Sequence, residues 1–182
     1  MNIFNKIFNS MNEELPTFKS LDEGIDFLMR YLARFSEDLY EQEFYVNRRW
    51  MEVRDDVHFQ EAILHIFEDN GSYLRILDGD ISTGSWEYTL GGLVIKFAGR
   101  HELYERVFLN ESFFILKKHG DHTSKGNRSK YFFVATESLA RRMEWTDLLV
   151  IMYEIYKSNT NYMVLVVGFF VLVALIIFLS II

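Results

Sequence analysis

Between Trp50 and Thr136 the chain is broken about every ten residues by a turn signal, and this punctuation restricts its fold more than any other feature. The runs between the breaks are short and rich in β-branched or aromatic residues: WMEVR, EAILHIF, SYLRIL, TGSWEY, GLVIKF, ELYERVF, SFFILK and KYFFVAT. The breaks fall at Asn70-Gly71, Asp78-Gly79, Gly91-Gly92, Gly99-Arg100 and Asn110-Glu111, with a longer link from His119 to Ser129. Asn-Gly and Asp-Gly supply the positive φ angles that tight hairpins need. Links this short hold no crossover helix, so neighbouring strands pair antiparallel in sequence order. The expected fold is α+β, with an eight-stranded antiparallel up-and-down meander that removes its edges by closing into a small barrel.

Alternation along the strands separates two faces. Leu93, Ile95 and Phe97 oppose Val94 and Lys96; Leu103, Glu105 and Val107 oppose Tyr104, Arg106 and Phe108; Leu74 and Ile76 oppose Tyr73, Arg75 and Leu77. Phe113 beside Phe114 and Phe132 beside Phe133 put bulk on both faces, so part of the outer wall needs a cover. Flanking helices are the candidates. One starts at Ser20, with Glu23 at capping-box spacing, and carries Ile25, Leu28, Leu32, Phe35 and Leu39 along one stripe. This stripe packs on the barrel or pairs two chains through residues 21–43. The other follows the last strand, with Leu139, Met143, Leu148, Leu149, Met152, Ile155 and Tyr156.

From Met163 to Ile182 there is no charged residue and Ser180 is the single polar side chain. Twenty helical residues rise about 30 Å, the thickness of a bilayer's hydrocarbon core, so this stretch is expected to be a transmembrane helix and the chain a single-pass, tail-anchored protein in contact with the lipid bilayer through residues 163–182. The N-terminus lacks the pattern of a signal peptide, and Arg141, Arg142 and Lys157 precede the apolar stretch, which places the N-terminal domain in the cytosol. The domain plan is an N-terminal amphipathic helical region (1–48), a β-domain (49–136), an amphipathic juxtamembrane helix (137–160) and the anchor (161–182).

Charge narrows the function. The formal net charge of −7 argues against a nucleic-acid polymer as partner, and the absence of cysteine removes disulfides and thiol chemistry. Basic residues gather around the longest link, where Lys117, Lys118, Lys125, Arg128 and Lys130 form a candidate surface for an anionic ligand or a protein partner. Trp86 and Tyr88 join this set as candidate stacking residues. His119, Asp121 and His122 lie close together, but metal sites draw ligands from separated elements, and neither a metal nor another cofactor is expected. His58, His65 and His101 read as surface or satisfied sheet residues. Glu52, Arg54, Asp55 and Asp56 read as a strand-end salt-bridge group. No P-loop, nucleophile elbow or zinc-protease motif occurs, so catalysis is not expected.

Gly84-Ser85-Trp86, in a hairpin-rich region, resembles the Gly-x-Trp of lipocalin-like barrels, and residues 50–136 resemble small bacterial lipocalin-like proteins. In lipocalins the motif opens the first strand; here it falls in the fourth. In architecture alone the chain is also similar to membrane-tethered barrel effectors of bacterial defence systems, which would imply nucleotide binding and oligomerisation. Two classes of function follow: a binding or sensing module whose barrel mouth or surface takes a small ligand or a protein, or an adapter or assembly subunit with no ligand cavity; large inward side chains would favour the second and small or polar ones the first.

Overall fold

The computed structural model describes residues 15–56, 61–89, 92–120 and 129–181; in the last helix the side chains described are those of 145–158, 165–173, 175–177 and 179. The chain divides into two compact units, and one of them, Phe18–Leu149, contains the whole barrel.

The first helix, α1 (Leu21–Leu32), begins where the sequence places it. The hydroxyl of Ser20 accepts a hydrogen bond from Glu23 N at 3.3 Å, and the Glu23 carboxylate accepts one from Lys19 N at 2.9 Å. Leu21, Ile25, Leu28 and Leu32 are buried within the chain. The stripe stops short of its expected end, because the chain tightens into a 3-10 turn at Ala33–Phe35. The cause is tertiary. The Ser36 hydroxyl accepts from Leu109 N at 3.0 Å and from Arg106 Nη1 at 2.7 Å, and Glu37 N donates to Leu109 O at 2.9 Å, which ties the segment to a barrel strand.

Eight strands follow: β1 (Trp50–Glu52), β2 (Ile63–Phe67), β3 (Ser72–Leu77), β4 (Asp80–Thr89), β5 (Gly92–Phe97), β6 (Arg100–Leu109), β7 (Phe113–Lys118) and β8 (Tyr131–Thr136). Each pairs antiparallel with the next, and β8 pairs with β1, so the barrel is closed. At the β3–β4 corner Asp78 and Gly79 have φ values of 49° and 96°, the doubly positive pattern of a tight hairpin. The β5–β6 corner uses Ala98 and Gly99, at 49° and 73°, one residue earlier than the sequence suggests. A bulge between Arg106 and Phe108 breaks the alternation of β6. Phe108 therefore leaves the face it would share with Tyr104 and Arg106 and stands opposite Ile115.

The paired phenylalanines are explained by the register of β7 and β8. Phe114 opposes Val134 and Leu116 opposes Phe132 on the inner face; Ile115 opposes Phe133 and Phe113 opposes Ala135 on the outer. Phe113, Ile115 and Phe133 are nevertheless buried. Asp26 of α1 accepts from the Tyr131 hydroxyl at 2.5 Å and Asp22 accepts from Lys130 N at 2.8 Å, holding the helix against this wall.

After β8, α2 (Glu137–Ala140) and α3 (Trp145–Ile181) close the chain. The helix α3 runs without a break through the expected boundary at residue 160. The expectation of a transmembrane helix is corrected here: among the described residues no helix is long and apolar enough to cross a membrane. The first turns of α3 carry Asp147, Glu154 and Lys157. The fold is thus an α+β barrel with flanking helices, and the tail-anchored, single-pass arrangement finds no support among the described residues.

Candidate functional site

The barrel interior has two unlike halves. At the end bearing the β2–β3 and β6–β7 turns it is filled. Tyr45, delivered by the 3-10 turn Gln42–Phe44, packs its ring 5.2 Å from Phe114 and 5.6 Å from Trp86 (centroid distances), with Trp50 and Phe67 completing the cluster. Each polar handle is satisfied by a carbonyl: the Tyr45 hydroxyl donates to Leu39 O at 3.0 Å, Trp50 Nε1 to Tyr45 O at 2.9 Å and Trp86 Nε1 to Glu68 O at 2.8 Å.

At the other end, where the β3–β4 and β5–β6 corners lie, the interior opens into a cup with a cavity of about 420 Å³. Its lining comes from the inner faces of several strands and from the segment after β1: Glu52, Arg54, His65, Tyr73, Arg75, Ile95, Phe97, Ala98, Arg100, Glu102, Tyr104 and Phe132. Register explains the gathering. Arg75 lies opposite His65 on β2, Ile95 opposite Glu102, and Leu93 opposite Tyr104, so one row of inward positions carries most of the polar groups.

Two hydrogen-bonded groups line this cup. In the first, His65 sits between Tyr73 (Nδ1 to Oη, 2.6 Å) and Glu52 (Nε2 to Oε2, 3.0 Å). Burial pushes the Tyr73 phenol well above its ordinary value, so it stays protonated and donates to Nδ1. That leaves Nε2 to carry the imidazole proton and donate it to Glu52. His65 itself is driven below its ordinary value, chiefly by burial and also by Arg75 and Arg54, while Glu52 pulls the other way; the neutral ring fits this chain of bonds. Burial would raise Glu52, but the bond from His65 and the adjacent Arg54, at 2.6 Å, hold its carboxyl low. In the second group the Tyr104 hydroxyl donates to Glu102 Oε2 at 2.6 Å and Lys118 pairs with Oε1. Burial and then Glu102 push the Tyr104 phenol up, and despite burial Lys118, Tyr104 and Arg100 hold Glu102 low.

Four cations, Arg54, Arg75, Arg100 and Lys118, thus meet two carboxylates, Glu52 and Glu102, a surplus of two positive charges in a chain whose formal charge is −7. Glu52 is engaged by Arg54 and Glu102 by Lys118. Arg75 and Arg100 form no ion pair among the described residues. Arg75 is half-buried, with its guanidinium carbon 6.0 Å from the centre of the Phe97 ring.

Of the basic and aromatic binding candidates singled out in the sequence, Lys118 alone reaches the cup, through its pairing with Glu102, while Glu52, Arg54 and His65, read there as structural, line it. Lys117 points outward from β7, opposite Glu105 and Tyr131. Lys130 is bonded to Asp26 at 2.7 Å, an interaction that pushes its amine up to about 12, and lies over the Tyr131 ring. Lys125 and Arg128 lie outside the described residues, as do Asp121, His122 and His58. Trp86 belongs to the filled half, and Tyr88 stands on the same face at the rim of that end. His119 bonds Glu105 at 2.8 Å, and among the described residues no group of three or more potential ligands could hold a metal. A second cavity, of about 430 Å³, lies beside the end of β1 and the start of α3, sharing Glu52 and Arg54 with the cup. One of its acids, Asp55, already accepts from Leu21 N at 2.8 Å.

The sequence reading missed His65, Tyr73, Arg75, Arg100, Glu102 and Tyr104 as a group. Their signal was the alternation of polar or aromatic residues with leucine in SYLRIL and HELYERV, which separates two faces without saying which one turns inward. No protein-family model matches the chain, and no curated protein or solved structure matches it.

Proposed function

We propose that this protein is a non-catalytic binding or sensing module, and that its barrel takes a small anionic ligand into the cup. Arg75 carries the reading. A guanidinium held half-buried on the inner wall of a barrel has lost part of its hydration, and without a carboxylate that loss is offset when an oxyanion arrives. Arg100 and Lys118 extend the same positive potential to the rim. The raised phenols of Tyr73 and Tyr104 speak for hydrogen-bond donors and not for nucleophiles. The adapter reading also has an observation behind it, since Tyr45, Trp50, Phe67, Trp86 and Phe114 fill the other half.

Equilibrium binding of the full chain to small anions at several salt concentrations separates the two. A binding module takes up an anion with salt-dependent affinity, and Arg75→Gln weakens it about tenfold or more, the value of a charge-assisted hydrogen bond. An adapter shows no saturable uptake, or uptake indifferent to Arg75.

A further inference from the structure

Resting on that reading, we infer that the cup selects a compact oxyanion carried on a flat aromatic body, and that it excludes long-chain amphiphiles. Depth supplies the first argument. A chain entering the cup meets Ile95, 6% exposed, and beyond it Trp50, Phe67 and Phe114, each fully buried and interlocked with Tyr45. Among the described residues no channel continues for an alkyl tail, and a cavity of about 420 Å³ stands near the small end of ligand sites.

The walls supply the second argument. Phe97, Tyr104 and Phe132 are only partly buried and face the cavity, so each retains ring surface for a ligand. Their orientations are set before anything binds. Phe97 meets Tyr73 edge-on, with centroids 5.6 Å apart and planes at 85°; Phe132 meets His65 at 4.9 Å and 89°; Tyr104 lies 5.8 Å from Phe132. Fixed aromatic surfaces favour a planar partner over a puckered one of equal size, because ring edges and faces then meet in offset or perpendicular geometry. Arg75, beside Phe97, places its charge next to such a ring and so pairs the two halves of the ligand, the oxyanion and its flat support.

The test titrates the full chain in parallel with phenyl phosphate, benzoate, cyclohexyl phosphate, inorganic phosphate and palmitate. Phenyl phosphate is expected to bind about fivefold tighter than cyclohexyl phosphate, the increment of one aromatic pair beyond area burial. Palmitate is expected not to displace it. Benzoate against phenyl phosphate reports which oxyanion the cup prefers. Phe97→Leu and Phe132→Leu should reduce the aryl preference; because the wild-type comparison needs no variant, a folding defect in either leaves the test intact. Equal binding of the two phosphate esters, or displacement by palmitate, overturns the inference. If inorganic phosphate binds through Arg75 without any aryl preference, the anion site stands and this selectivity falls; if no anion binds, both fall.

Discussion

Gly84→Ala tests whether the approach of two strands beside the cup is as close as the fold requires. Gly84 lies opposite Tyr73, and a Cβ built there would stand 2.4 Å from the Lys96 carbonyl oxygen and 3.2 Å from Phe97 Cδ2. Its φ is not in the left-handed region, so alanine meets no backbone strain and the whole cost is steric. An ordinary contact needs about 1 Å more, and the atom in the way belongs to the β5 backbone, which moves only if its ladder bonds to β4 and β6 distort. Overpacking costs about 1–3 kcal/mol, and a backbone obstacle belongs at the upper end. The lost flexibility of the unfolded chain returns about 0.4–1 kcal/mol. The expected net loss is therefore about 2 kcal/mol, roughly a thirtyfold fall in the folded-to-unfolded ratio. Urea denaturation of the full chain reads this as a midpoint lowered by about 1 M at unchanged slope. A variant within 0.5 kcal/mol of the parent, on the order of ordinary surface scatter, would refute the reasoning.

Tyr73→Phe removes the donor to a fully enclosed His65 Nδ1 without opening a cavity, and is expected to cost about 1–3 kcal/mol in denaturant unfolding; no loss would mean the ring is satisfied otherwise. Because the His65 and Glu52 values are both held low in the fold, the unfolded chain binds more protons as pH falls. Stability is therefore complete above the ordinary value of 6.5 for the histidine, declines below it, and declines again below 4.5 as Glu52 protonates. Thermal denaturation between pH 7.5 and 4 checks this, and His65→Gln should remove the upper step. Leu32→Ala, at a position with no exposure, is expected to cost about 2–5 kcal/mol while leaving the sedimentation coefficient unchanged; a dissociated but equally stable protein would instead put this helix at an interface between chains. Lys130→Gln, at an amine still partly in solvent, should cost less than about 1 kcal/mol, and a larger loss would show its bond to Asp26 to be a main anchor of α1.

Eight strands in sequential antiparallel order were legible in the chain because turn chemistry is local: Asp78-Gly79 bends the backbone whatever surrounds it. The start of α1 was legible for the same reason, since Ser20 and Glu23 act on donors within one turn. Its end was not, because Ser36 leaves the helix for partners on β6 that are distant in sequence. The site was hidden by the same kind of distance. Alternation divides SYLRIL into two rows, but Leu74 and Ile76 look no less like a core than Tyr73 and Arg75 do. Closure through the β8–β1 pairing decided the matter. It turned Tyr73, Arg75, Glu102 and Tyr104 into one enclosed space, while the outer rows of β7 and β8 found cover beneath α1. The bulge at Arg106 reversed Phe108 in the same way, through pairing with β7 that no local pattern announces. Tyr45 stoppers one end of the barrel from outside the strands altogether, and its place depends on rings contributed by Phe67, Trp86 and Phe114, which meet only once the sheet has curled shut.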